Sequence, residues 1–289
     1  MTRIGRAVAT LALAGTAAVA AAAASTLAAF SAELDAQWDY DRPALSAERF
    51  RAALARWQPD EPQALVVATQ IARAQGLEGK FADAHATLDA VAARLDGMPS
   101  HVRVRYLLER GRVFNSAGAR ERAVPLFAEA LALADCADDE FYAIDAAHML
   151  GIAAPAAEQL HWNMKALALA QAAGDPRARR WDASLYNNIG WTYLDRGDPA
   201  TALAYWQKAL AAREAAGDVR RARVARWTVA RGLRALGRLD EAEAMQLALA
   251  SELERAGEID PEVYAELAAI AAARGDAQAA QTWAAKAKR

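Results

Sequence analysis

From Pro62 onward, apolar residues recur three and four positions apart, in stretches that polar turns and glycines interrupt. That period belongs to the α-helix, where residues i, i+3 and i+4 share one face. The interruptions are regular. Gly79, Gly118, Gly197, Gly237 and Gly275 follow one another at about 40 residues, with one double interval that leaves a punctuation point near residue 157 missing. A period of that length holds two helices. Stacked helix pairs bury a common core between neighbours and leave one long face open. Strand-length runs of β-branched residues are lacking, so the chain is predicted to be all-α.

The spacing predicts helix pairs at 62–76 with 80–95, 101–117 with 120–134, 138–150 with 156–173, 181–196 with 199–216, 221–236 with 239–256, and 261–274 with 277–288. Asp175-Pro176 and Asp198-Pro199 read as helix starts, with proline at the first helical position. Residues 33–60 read as a capping helix region with Ser46 as its N-cap. Trp38 and Tyr40 are expected to cover the exposed end of the stack, since a repeat array must seal its terminal faces. In the third pair, the stretch from Gly151 to Pro155 breaks the spacing.

Composition changes the picture at one end. Over the whole chain, 34 basic and 36 acidic residues give a net charge of −2, so no nucleic-acid partner is expected. Residues 1–30 differ from the rest. Arg3 and Arg6 precede an uncharged stretch from Ala7 to Ala29, rich in alanine, leucine and valine. A basic start, an apolar centre and a small-residue end make a secretory signal, with cleavage near Ala24, and predict a periplasmic or secreted protein. Left uncleaved, residues 7–29 are long enough to tether the chain to a membrane. An ordinary cytoplasmic helix is the third reading. The expected organisation is therefore 1–30 leader or anchor, 33–60 cap and 61–289 repeat domain.

Candidate chemistry is sparse. His85, His101, His148 and His161 form no His-x-x-x-His spacing, Cys136 has no second cysteine, and Gly-x-Ser-x-Gly is absent. No enzyme, metal or cofactor is expected. His148 lies three residues after Asp145, which allows a hydrogen-bonded acid–imidazole couple. His85 and His101 are expected at solvent, and His161 with Trp162 in a buried packing cluster.

The fourth pair has the clearest pattern. Tyr186, Ile189, Gly190 and Tyr193 lie on one face of its first helix, and Ala202, Trp206 and Ala209 on the next. Leu107, Gly111, Phe114, Gly118 and Ala123 repeat the pattern in the second pair, and Val229, Ala230, Leu233, Gly237 and Ala242 in the fifth. This resembles the tetratricopeptide repeat family, in the extended-period variety found in many bacterial regulators. The resemblance implies an α-α superhelix of antiparallel hairpins, a solenoid whose concave groove holds a peptide or protein partner and carries no catalytic activity. It places the groove on the first helix of each pair. The residues so placed are Arg73, Arg105, Arg112, Asn115, His148, Asn187, Asn188, Trp191, Trp227, Arg231 and Arg234.

Guanidinium groups on that lining suit an acidic partner segment. Asn187 and Asn188 resemble a clamp on a peptide backbone, because an amide both donates and accepts. Trp191 and Trp227 suit anchoring. Three competing expectations stand beside this one. The arginines pair with the chain's own Glu109 and Asp195, and Trp191 packs under the next repeat. The array self-assembles with an idle groove. The protein is a regulatory subunit of a separate enzyme or sensor.

Overall fold

The computed structural model describes residues 26–137 and 139–288. Most of the expected leader lies outside them. Residues 26–35 are helical (α1), and Leu27 within them is buried in the core. There follow α2 (Pro43–Leu54), α3 (Pro62–Leu77), α4 (Phe81–Ala92), α5 (Ser100–Ser116), α6 (Arg120–Cys136), α7 (Glu140–Ala153), α8 (Ala156–Ala172), α9 (Pro176–Arg179), α10 (Asp182–Asp195), α11 (Pro199–Ala215), α12 (Val219–Ala235), α13 (Leu239–Arg255), α14 (Pro261–Ala273) and α15 (Ala277–Lys286). No strand occurs among the described residues. Among those residues, no helix is long and apolar enough to cross a membrane.

Two compact units meet at the Pro155–Ala156 bond. The first holds α1 to α7. Its core joins Phe50, Leu65, Val66, Ile71, Val91 and Val102, with Leu88 and Val113 beside Ala72 and Ala84. The second holds α8 to α15. Trp206, Leu203, Val229, Leu233 and Ile270 form one cluster there, and Leu249, Leu253, Val263 and Leu267 another.

Both units use the same joint between the helices of a hairpin. Trp206 is wholly buried and lies on Gly190, where an added Cβ would sit 2.4 Å from the indole nitrogen. Phe127 lies on Gly111 in the same way, again at 2.4 Å. A hydrogen in place of a side chain lets each large ring lie against the facing helix backbone. The Trp206 Nε1–H donates to the carbonyl oxygen of Asn187 at 3.1 Å, so the joint is also satisfied in its polar part.

The five spaced glycines all lie in the left-handed region, Gly197 at φ 80°. The passage from α7 to α8 departs from this. Its turn is Ala154, extended at φ −64° and ψ 160°, followed by Pro155, which cannot continue a helix hydrogen-bond ladder.

Other expectations are corrected. The cap of α2 is Arg42 rather than Ser46, because Pro43 presets the first helical turn earlier. Ser46 instead accepts from the Asp39 N–H at 2.9 Å and donates to its carbonyl at 3.1 Å, which holds the loop before the helix. Asp175-Pro176 starts only the four residues of α9, before Asp182 opens the long helix. His161 is exposed rather than buried, with its ring edge-on to Trp162 at 5.1 Å. The buried stripe of α8 is Asn163, Ala166, Leu167 and Ala170, and His161 lies off it.

Candidate functional site

In the first unit, the leading helices are α3, α5 and α7. Helical spacing puts Arg105, Glu109 and Arg112 on successive turns of α5 and Tyr142, Asp145 and His148 on α7. Arg105 is almost completely buried, at 2% exposure. It donates from Nη2 and Nη1 to the two Asp35 oxygens at 2.7 and 3.1 Å, and from Nη1 to the Tyr142 hydroxyl. That hydroxyl donates to Asp35 at 2.8 Å. Arg112 donates to Glu109 at 2.7 Å and to Asp145 Oδ2 at 2.6 Å. Arg73 reaches Glu109 at 3.4 Å.

Three guanidinium groups therefore meet three carboxylates, Asp35, Glu109 and Asp145, within one unit. Burial pushes the Asp35 carboxyl up, but the charge and hydrogen bonds of Arg105 outweigh it and hold it below the usual range. Burial likewise opposes the charge on Arg112, and Asp145 and Glu109 more than restore it. The pairing with Glu109 that competed with the groove expectation is present. A pocket of about 150 Å³ remains beside them, lined by Arg73, Gly76, Leu77, Arg112, Val113, Asn115, Ser116 and Met149.

Asp145 gives both oxygens to Arg112, which the sequence did not reveal. Desolvation lowers the His148 pKa to about 4, against the pull of Asp145 and with the push of Arg112 and Arg73. The imidazole is thus neutral at pH 7.

His101, expected at solvent, is buried under α1. Its Nε2 lies 2.7 Å from Ser31 Oγ and its Nδ1 2.7 Å from Asp139 Oδ2. That connectivity is the one of a hydrolytic triad. Ser31, however, has 0% exposure, and it sits inside a helix whose N–H groups serve the helix's own ladder. Among the described residues the Ser31 hydroxyl is thus enclosed, and its backbone N–H belongs to the helix ladder. The trio ties α1 to α5 and to the start of α7.

The second unit is arranged differently. Trp191 on α10 and Trp227 on α12 are both half-buried, with ring centroids 6.1 Å apart and planes at 37°. The Arg231 guanidinium lies 5.3 Å from the first ring and 5.7 Å from the second, within cation–π range of both. Trp227 Nε1–H donates to the Glu262 carbonyl at 3.0 Å, and Trp191 meets Trp206 edge-on at 5.1 Å. Arg234 donates to Glu266 at 2.5 Å, and Arg231 lies 3.7 Å from the same carboxylate. Two guanidinium groups thus share one buried carboxylate. Asn187 donates to the Asn188 side chain at 3.4 Å. Ser184 accepts from Arg213 of α11 at 2.7 Å.

Asp35, Tyr142 and Glu266 belong to these arrangements and escaped the sequence reading. Glu266 had a signal, an acid on the otherwise apolar stripe of Val263, Leu267 and Ile270 on a leading helix. Asp35 had none, since its partner lies 70 residues away.

Repeated helical hairpins with Gly–aromatic joints define an all-α helical-repeat fold. The tetratricopeptide repeat model matches residues 183–216, the stretch that holds most of α10 and α11. The apo form of RapI is similar in fold, at TM-score 0.68 and 9% identity over 92% of this chain and 75% of that one. PilW, a widely conserved type IV pilus biogenesis factor, is similar at TM-score 0.58 and 22% identity over 78% and 92%. A Rap protein complexed with Competence and Sporulation Factor is similar at TM-score 0.61 and 14% identity over 92% and 77%. No curated protein matches the chain in sequence.

Proposed function

We propose that the protein is a non-catalytic scaffold that holds a partner's peptide segment on the leading helices of its second unit. The observation that carries this is the half-exposed pair of indoles around Arg231, beside a carboxylate that two arginines share. Trp191 and Trp227 supply apolar anchoring area, and the unmatched positive charge selects a segment bearing a carboxylate. Asn187 and Asn188 hold its backbone. The solved fold of a Rap protein with a bound factor supports this use of such a scaffold. In the first unit, Arg73, Arg112, Asn115 and His148 contribute a charge-balanced surface, and Arg105 holds the fold. The leader, read as a cleaved signal, places the scaffold in the periplasm or outside the cell. Cleavage near Ala24 keeps the buried Leu27 in the mature chain.

Titration of the full chain with acidic and basic peptides, followed by tryptophan fluorescence, tests the reading. Acidic peptides should quench or shift the emission, and Arg231→Ala should weaken their binding about tenfold, the equivalent of ~1.4 kcal/mol. Equal response to both peptide classes, or an unchanged affinity in Arg231→Ala, rejects it. The self-assembly reading draws on the exposed Val219, Val224 and Ile259 of the second unit. Sedimentation showing a concentration-dependent rise in mass, lost in Val219→Asp, would favour it instead.

A further inference from the structure

The first unit already holds a segment on its leading helices, and the segment is its own. Asp35, at the end of α1, sits on Arg105 of α5. Three residues on, the Trp38 indole N–H donates to the Gln70 side chain of α3 at 2.9 Å. Tyr40 stacks on Trp38, with centroids 4.9 Å apart and planes at 3°. Arg73 of α3 lies 5.6 Å from the Trp38 ring and 5.4 Å from the Tyr40 ring. A carboxylate on a guanidinium is what this lining was expected to take from a partner, and the aromatic pair on Arg73 is an addition of the structure. The outer side of the segment is open: Tyr40 is 49% exposed, and Gln37 and Asp41 are exposed too. Arg73 also lines the neighbouring pocket, so that pocket adjoins the place the segment occupies.

We propose that residues 35–40 are a built-in occupant of the first unit's leading-helix face, and that this face accepts in their place a partner segment of the same chemistry, Asp-x-x-Trp-x-Tyr. The inference rests on the reading of the protein as a segment-binding scaffold. Charge matching selects this partner. With Asp35 withdrawn, Arg105 is an unpaired buried cation, so the incoming segment must bring a carboxylate. Without the indole, the Gln70 acceptor loses its donor. Occupation from within lowers the apparent affinity for any partner by the fraction of time the face is free.

The probe is a fluorescently labelled peptide of residues 33–42, titrated by anisotropy into the full chain and into full-length Tyr40→Ala and Trp38→Ala. Tyr40 is largely exposed, so its replacement leaves the fold intact even if the Trp38 variant is damaged. The variants should bind the peptide at least about tenfold more tightly than the wild type. The same peptide carrying Asp35→Lys should not bind. Equal affinity in wild type and variants overturns the built-in occupant, while leaving the scaffold reading to its own test at Arg231. No binding by any form overturns the face as a recognition surface. A doubling of mass in the variants without peptide binding assigns the face to exchange between two copies and overturns the partner. Amide hydrogen exchange adds a second criterion. Residues 36–42 should exchange faster in Tyr40→Ala with α3 and α5 unchanged, and faster exchange in those helices too would make the segment a fixed cap.

Discussion

The two units carry arginines at matching places on their leading helices and put them to opposite use. In the first, Arg73, Arg105 and Arg112 are matched one for one by acids, and the centre of the group is dry. In the second, Arg231 and Arg234 divide a single carboxylate, and Arg231 lies against two half-exposed indoles. Buried pairs add little net stability when intact but are costly to break. Half-exposed unmatched charge is cheap to keep and available to a ligand. A guanidinium on a leading helix is therefore no sign of recognition until its acid has been located.

The units also differ in how their helices start. In the first, the residues before α2 to α7 make no side-chain cap hydrogen bonds. In the second, Asp175, Asp198, Asp218, Asp260 and Asp276 each cap a helix through a carboxylate that accepts a backbone N–H. Such a cap is worth about 1 kcal/mol. The second unit draws stability from local contacts at its turns, whereas the first relies on links from α1 to helices far along the chain.

The sharpest break of this comparison is Arg105→Ala. It takes the guanidinium from Asp35, which keeps the Tyr142 hydroxyl as a donor but loses its buried countercharge, and urea unfolding should show a loss of about 3–5 kcal/mol. A loss below ~1 kcal/mol would mean that the first unit's face is not structural. Next come Gly190→Ala and Gly111→Ala, one in each unit. Each methyl collides with a buried ring, and each should lose about 1–3 kcal/mol, by similar amounts because the joint is the same. Clearly unequal losses would separate the units at the joint as well.

His148 gives a pH test specific to the first unit. Its folded pKa of about 4 lies below its ordinary value of 6.5. The unfolded chain therefore binds the proton first, and stability falls as pH drops from 6.5 towards 4. The loss should be on the order of 2 kcal/mol, allowing for partial exposure of the ring. His148→Gln should flatten this part of a thermal stability profile. An unaltered slope in that variant would assign the acid sensitivity to other groups. The smallest expected effect is Arg231→Ala on stability, below about 1 kcal/mol by the same urea measurement, since its carboxylate keeps Arg234. A loss as large as that of Arg105→Ala would erase the contrast between the faces.

The hairpins were legible because their signals are local. Gly197 and Gly237 sit where the backbone turns left-handed, and Asp198-Pro199 opens α11 with its carboxylate accepting the Thr201 N–H at 3.0 Å. Gly190 and Ala202 marked a close approach of α10 and α11, and packing decided that the Trp206 ring lies on Gly190. The third turn was legible as an exception: the spacing breaks from Gly151 to Pro155, and Ala154 and Pro155 end α7 without a glycine. The site was less legible. Sequence spacing marked Arg73, Arg105 and Arg112 as one lining and could not tell that Asp35 occupies its centre. Nor did it bury His101 under Ser31.

Helix period, turn glycines and caps depend on neighbours within a few residues, so the order of letters was enough to set the hairpins and their repeat. Which charges are neutralised, which rings stay open and what covers a histidine depend on contacts between distant segments, 33 residues apart from Arg112 to Asp145 and 70 apart from Asp35 to Arg105 and from Ser31 to His101. Those were settled when the chain packed, because burial and the proximity of an opposite charge exist only between segments already brought together.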